Sequence, residues 1–575
     1  MHGFYRFSET EISLDCDIKY SIADKFVVAL NGEIYNSQSI KVMLETKGHI
    51  FETDSVCEIL LHLYQEYNTG MFCHLRGMFA FAIYDIQAKK IFCARDPFGI
   101  KQLYYAPHES GFYFGTKIVP ALSYFETAIN TEALGQYLTF QYSVLPETFF
   151  KGIFKLPQGH FLMFEDGQIS VSRYHSHVFT PFESSDITED IDKAVCDSVS
   201  SHLENTEEVG TFLSGGVDSS YIAAVYASQN KKGVSFTVGF DYEKYNEVSY
   251  AKSLSDKLGL THITKIISTD EYWNSLAKIQ LQMEEPMADP AAVAFYFACE
   301  EAAKHVNIAF SGEGADELFG GYNIYKEPLS LKTYSRLPLS FREWLASIVK
   351  RLPAGTRGRS FIIRGAKPVE ERFVGNAYIF SEEERAKILK YPTIQSPTDI
   401  TRPFYNQVKH EDDVTKMQFL DIHLWLEGDI LCQANKMSEA NGLQLRTPFL
   451  DREVARTAFR LPVKHRVSKK TTKIAFRKAA AKHLSPETAE RYKLGFPVPT
   501  RIWLREQKYY DIVKEYFVNC VAEKYFNTTE LINLLDEHFT GKQDNSRKIW
   551  TVYMFLVWHE EMMSALKKEE NLDDM

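Results

Sequence analysis

Short apolar runs separated by polar turn residues fill the first third of the chain: KFVVAL, MFAFAIYD, KKIFCA, GFYFGT and HFLMFED. Runs of this length, rich in β-branched and aromatic residues, predict strands of an antiparallel sheet. Asn31-Gly32 and Asp166-Gly167 are the turn candidates between them. SVCEILLHLYQEY follows another period. There Val56, Ile59, Leu60, Leu63 and Tyr64 recur at helical spacing, which predicts a helix.

The patterning breaks at FTPFESSDITED, whose proline, serine and acidic residues predict a linker between Phe179 and Asp190. It divides the chain into an expected first domain, residues 1–178, and a second, residues 190–575. Beyond the break, strand-like and helix-like runs alternate: VGTFLS, YIAAVYASQ, VSFTVGF, EVSYAKSLSDKLG, HITKIIS and, later, VNIAFSGEG. That order implies a parallel sheet with helices on its faces. From Tyr322 onward the pattern is mainly helical, and basic stretches such as VKRLPAGTRGRS read as solvated faces. The expected fold class is therefore α+β followed by α/β with a helical extension.

Composition narrows the function classes. A chain of 575 residues exceeds what one hydrophobic core supports, and 45% hydrophobic with 25% charged residues excludes long disorder. The net charge of -11 argues against a nucleic-acid binder, which needs a basic surface. Eight scattered cysteines without a CxxC pair read as reduced thiols of a cytosolic protein. No apolar run approaches the ~20 residues of a membrane span, and MHGFYRFSETE lacks the pattern of a signal peptide. A cytoplasmic location without membrane or nucleic-acid partners is the expectation.

Two glycine-rich segments carry the chemistry. LSGGVDSS, Leu213 to Ser220, lies between an apolar strand and an apolar helix. Small residues there let backbone N–H groups approach a polyphosphate, and the helix adds its positive N-terminal end. Asp218 can then hold Mg²⁺, a hard cation that prefers carboxylate oxygen. FSGEGADELFGGY, Phe310 to Tyr322, also follows a strand and sets Glu313, Asp316 and Glu317 among glycines. Two such loops at strand ends of one parallel sheet point to a nucleotide crevice.

Together, SGGVDSS, SGEGADELFGGY, LQLRTPFLD and KLGFPVP resemble the ATP pyrophosphatase domain of asparagine synthetases, a family that extends to β-lactam synthetases and lasso-peptide cyclases. NGEIYN, LRGMFAFAIYD and ARDPFGIK follow the order of that family's Ntn-type class II glutaminase domain. The resemblance implies a ligase in which an aspartate carboxylate attacks the α-phosphorus of ATP, and ammonia then displaces AMP. It assigns Ser214, Gly215, Gly216, Asp218, Ser219 and Ser220 to pyrophosphate, and Leu213, Val238, Ser311 and Gly312 to adenosine. Asp218 and Asp316 would hold Mg²⁺, Lys473 would stabilise adenylation, and Glu313 would take a proton as ammonia attacks. Without the resemblance, Lys473 is a lysine on an amphipathic helix. Lys493 and Arg446 are further phosphate or substrate candidates, although Arg446 can equally tie helices together through a carboxylate. Gln444 stands where the family commonly has glutamate, which leaves the acid substrate open: aspartate, a related acid or a peptide.

The glutaminase half departs further. Such enzymes use an N-terminal cysteine as nucleophile, whereas this chain opens Met1-His2, and Cys16 lies inside it. Asn31, Gly32 and Glu33 match the family's glutamine site, but Val56 replaces the aspartate that pairs with glutamine's α-amino group. The expectation is a degenerate glutaminase and a ligase that uses ammonia. A silent regulatory homologue is the reading from another class, and a homodimer is compatible with either.

Overall fold

The computed structural model describes residues 1–6, 12–16, 19–22, 25–124, 128–204, 209–229, 233–242, 247–353, 355–491 and 498–573. Its first third builds two antiparallel sheets. One has six strands in the spatial order Gln168–Arg173, His160–Glu165, Lys90–Arg95, Gly77–Asp85, Phe26–Ile34 and Lys19–Ile22. The other has five: Ile12–Asp15, His2–Arg6, Gly111–Gly115, Tyr104–His108 and Phe154–Lys155. Alternation along Gly77–Asp85 separates two cores. Phe79, Phe81 and Ile83 pack with Ile40, Leu44, Leu60 and Leu63 of the helices Ser37–Glu45 and Val56–Tyr67. Ala80, Ala82 and Tyr84 face the opposite way, against Tyr5, Phe112 and Phe114 of the second sheet.

Two sequence expectations change here. Asp166-Gly167 does turn the chain between its strands, both residues having positive φ. Asn31-Gly32 does not: both lie inside the strand Phe26–Ile34, opposite Ala80 and Phe79. Gly32 has φ of +126°, and a Cβ there would stand 2.1 Å from the Met78 carbonyl oxygen. Close strand approach, rather than chain reversal, requires this glycine. The expected linker is likewise shorter than predicted, because the helix Ile187–Leu203 starts within it. Its acidic residues Glu189 and Asp190 occupy that helix's first turn, where the helix dipole favours negative charge. Thr180 and Phe182 N–H groups donate to the carbonyls of Phe459 and Arg460, at 3.0 and 2.9 Å, so the remaining segment is docked.

The alternating region forms a five-stranded parallel sheet in the order Thr261–Ile267, Val234–Phe240, Val209–Phe212, Ile308–Phe310 and Gln444–Arg446. Helices cover both faces. Ala309 packs with Cys299 and Ala302 of the helix Ala291–Ala303. The adjacent Phe310 packs with the helix Val217–Gln229. The final long helix, Ser546–Asp573, contributes Trp550, Tyr553, Phe555 and Trp558 to the largest core, which also takes in Tyr137 and Phe149. Among the described residues no helix is long and apolar enough to cross a membrane.

Candidate active site

Strand order reverses direction between Val209–Phe212 and Ile308–Phe310, which are neighbours although almost a hundred residues separate them in the chain. The loops leaving their carboxyl ends therefore flank a topological switch point, where open parallel sheets bind ligands. Leu213 extends the first strand by donating its N–H to the Phe236 carbonyl at 2.9 Å. Ser311 extends the second by donating to Arg446 at the same distance. The first loop is internally braced: the Ser214 N–H donates to Ser219 Oγ at 3.0 Å, and the Gly216 N–H to Ser214 Oγ at 3.2 Å. A Cβ on Gly312 would lie 3.1 Å from the Ser219 nitrogen, so the two loops touch through a glycine.

Lys473 joins them. Its ammonium lies 2.5 Å from Asp218 Oδ1 and 2.7 Å from Asp316 Oδ1, and its side chain is 2% exposed. Instead of lying along a helix face, it caps the helix Ile474–Ala480 with φ of +54°. Each carboxylate's attraction to the ammonium opposes the cost of taking the charges out of water, and two acids against one base make the grouping net negative. A Cβ on Gly321 would stand 1.8 Å from Asp316 Oδ1 and 2.3 Å from Lys473 Cε, so only glycine leaves room for this grouping. Glu313, three residues before Asp316 on the same loop, accepts the Ser311 hydroxyl at 3.1 Å. Behind it, Glu317 accepts the Tyr322 hydroxyl at 2.5 Å, and Trp425 Nε1 donates to that same phenol at 2.9 Å. Burial, with Asp316 next to it, pushes the Glu317 carboxyl from its ordinary 4.5 to about 7.

Other assigned residues fall less simply. Ser220 is completely buried, and its hydroxyl has no partner among the described residues. Val238 is half-buried in the strand next to the loop. Its neighbour Thr237, which sequence motifs did not single out, donates its hydroxyl to the Leu213 carbonyl at 2.5 Å. Lys493 lies outside the described residues. Glu247 was also illegible from motifs: it accepts the Gly215 N–H at 3.1 Å and is paired with Arg491 at 3.4 Å, while Arg491 stacks over Tyr250. The only sequence signal for Glu247 was its place at the start of a helical run.

The NGE stretch faces the second half of the chain. Glu33 accepts Gln444 Nε2 at 2.8 Å and lies 3.8 Å from the Arg446 guanidinium. Asn31 Nδ2 donates to Glu439 at 3.4 Å, and Lys101 holds the same carboxylate at 3.1 Å. Arg446 also donates to the His202 carbonyl, so it ties elements together. Val56 opens its helix as a half-buried apolar residue against the sheet core. From ARDPFGIK, Arg95 is completely buried, 2.5 Å from Glu427.

The asparagine synthase family profile matches residues 190–560, and a glutamine amidotransferase domain profile matches residues 19–175. The chain belongs to the asparagine synthase family. "Asparagine synthetase [glutamine-hydrolyzing] 1" of Bacillus subtilis is 40% identical over 545 residues, covering 93% of this chain and 85% of that protein. A "Putative asparagine synthetase [glutamine-hydrolyzing]" of Mycobacterium tuberculosis is 40% identical over 554 residues, covering 93% and 84%. A third relative, "Asparagine synthetase [glutamine-hydrolyzing] 3" of Bacillus subtilis, is 27% identical over 500 residues. As an asparagine synthase family member, this protein is a carbon–nitrogen ligase that couples ATP to amide formation. The donor set suits that coupling. Two hard carboxylate oxygens converge on one cationic position, and glycines at 312 and 321 keep the surrounding backbone close.

Proposed function

We propose that this protein makes asparagine from aspartate, ATP and ammonia, in a synthetase domain spanning residues 190–575 that packs on a glutaminase-like domain at residues 1–178. The observation that carries this reading is Lys473 held between Asp218 and Asp316 at the switch point, with Glu313 on the same loop as Asp316. Lys473 and the positive amino end of the helix Val217–Gln229 balance the charge that builds on phosphate oxygens as the aspartate carboxylate attacks the α-phosphorus and pyrophosphate leaves. The resulting β-aspartyl-AMP presents a carbonyl to ammonia. Glu313 takes the proton released as the C–N bond forms, and AMP departs with the acyl C–O electron pair. Asp218 and Asp316 are the residues that would hold Mg²⁺, which supplies electrostatic stabilisation to the phosphates. The test is product stoichiometry: AMP, pyrophosphate and asparagine should appear in equal amounts from aspartate, ATP and ammonium. ADP with orthophosphate would defeat the reading.

Ammonia, rather than glutamine, is the nitrogen source in this proposal. Val56 offers no charge to an α-ammonium group, and Asn31 and Glu33 are engaged by Glu439, Gln444 and Arg446. The first domain then serves as the platform on which the synthetase packs. With glutamine replacing ammonium, glutamate release should stay at the background rate while ammonium supports full turnover. Matched rates of glutamate and AMP release from glutamine would refute ammonia dependence without touching the ligase assignment.

A further inference from the structure

A cluster outside the residues placed in the reaction joins the helix Ile187–Leu203 to the turn after the helix Ile474–Ala480. Asp192 and Cys196 are four residues apart and so share a helix face. His483 reaches them from the turn. Its Nε2 lies 2.8 Å from Asp192 Oδ1 and 3.9 Å from Cys196 Sγ, and that sulfur is 3.9 Å from the same Asp192 oxygen. Asp192 and His483 side chains are 14% and 23% exposed, so the cluster is sheltered yet reachable.

Three observations choose among the roles open to it. First, the thiol and the carboxylate face the same histidine nitrogen. A nucleophile–base–orienter relay uses the two different ring nitrogens, so this is not hydrolase geometry. Second, one carboxylate oxygen is already spoken for: Asp192 Oδ2 lies 3.3 Å from Lys482, which also holds Glu189. Oδ1 is left facing the cluster, fixed by the Tyr221 hydroxyl at 2.7 Å, an outer partner of the type that orients metal ligands. Third, the spacings fit one ion. Tetrahedral donors about 2.0–2.3 Å from zinc sit about 3.3–3.6 Å from one another, so the 2.8 Å oxygen–nitrogen pair would open and the two 3.9 Å sulfur separations contract, each by about half an ångström or less.

We propose that Asp192, Cys196 and His483 bind a zinc ion, with water as fourth ligand. The mixed sulfur, nitrogen and oxygen set favours Zn²⁺ over Mg²⁺ or Ca²⁺, which take oxygen. On binding, the thiol proton passes to solvent while the histidine coordinates as neutral imidazole. The consequence is mechanical. Lys473 caps the amino end of the helix whose carboxyl end leads to His483, so the ion pins the mount of Lys473 to the helix Ile187–Leu203.

The full-length protein, stripped with chelator, is titrated with Co²⁺ as a spectroscopic probe and then with Zn²⁺. One equivalent should bind with a thiolate-to-cobalt charge-transfer band and the intense visible absorption of tetrahedral cobalt, and zinc should displace it and raise the melting temperature. C196S should abolish the charge-transfer band, and H483Q should weaken binding by more than about tenfold. The C73S/C520S variant, lacking the two exposed thiols, should keep the band. No band in folded wild type, or a band that survives in C196S, overturns the site. If C196S fails to fold, unchanged cobalt affinity in H483Q does the same.

Discussion

At the residue scale, the proposed mechanism gives Lys473 and Glu313 different barriers, and the two can be separated. Removing the Lys473 ammonium leaves Asp218 and Asp316 facing each other without the cation that neutralises them. K473A should slow pyrophosphate release at least about a hundredfold, roughly 2.7 kcal/mol in the barrier. E313A should retain pyrophosphate release but lose asparagine formation, and equal loss of both half-reactions in the two variants would show that the roles are not distinct. Glu317 adds a pH dependence. Its carboxyl is raised in the folded protein from 4.5 to about 7, so its stabilising contribution is complete below the lower value and fades as pH rises through the upper one. E317Q should flatten stability against pH across that window in denaturant titrations, and an unchanged slope would contradict the assignment. The glycine-rich motifs made Asp218, Asp316 and Glu313 visible because glycines mark close backbone approach, whereas Lys473 was legible only through the family resemblance. Glu247, Thr237 and Arg491 stayed hidden, since a lone polar residue in a strand or helix start carries no local sign of what lies across the sheet.

Elements were legible where one periodicity held throughout. The predicted helix over residues 55–67 emerged because its apolar positions match the helical period, and the strands around MFAFAIYD and VSFTVGF because they are short β-type runs. Asn31-Gly32 misled because the same dipeptide serves tight turns and close strand packing, and only the partner strand at Met78 and Phe79 distinguishes them. The acidic run before Asp190 was read as linker although acidic residues also open helices. ARDPFGIK was recognised only as a resemblance; its physical work is to bury Arg95 against Glu427 across the two halves. Burial opposes the charge on Glu427, yet Arg95 and Lys155 hold its carboxyl below the ordinary value. E427A should destabilise the protein by about 3–5 kcal/mol, because it strands a buried guanidinium without its counter-charge. A loss below about 1 kcal/mol in equilibrium unfolding would show that Arg95's carbonyl partners suffice.

For the whole molecule, the arrangement places the two glycine-rich loops, the proposed nucleotide site, at a sheet switch point and backs them with a β-rich unit whose polar NGE edge is clasped by Glu439, Gln444 and Arg446. The alternation of strands and helices between Val209 and Phe310 was readable from sequence, whereas the sheet's fifth strand, Gln444–Arg446, lies in the stretch read as mainly helical. The clasp was not readable, because it pairs residues about four hundred positions apart. The step most specific to the proposed mechanism is attack of the acid's carboxylate oxygen on the α-phosphorus. Aspartate carrying ¹⁸O in its side-chain carboxylate tests it directly, with ATP, magnesium and ammonium present and the products resolved by mass spectrometry. One labelled oxygen should be found in AMP for each asparagine formed, with none in pyrophosphate. Unlabelled AMP, or label in orthophosphate alongside ADP, would exclude an acyl-adenylate route.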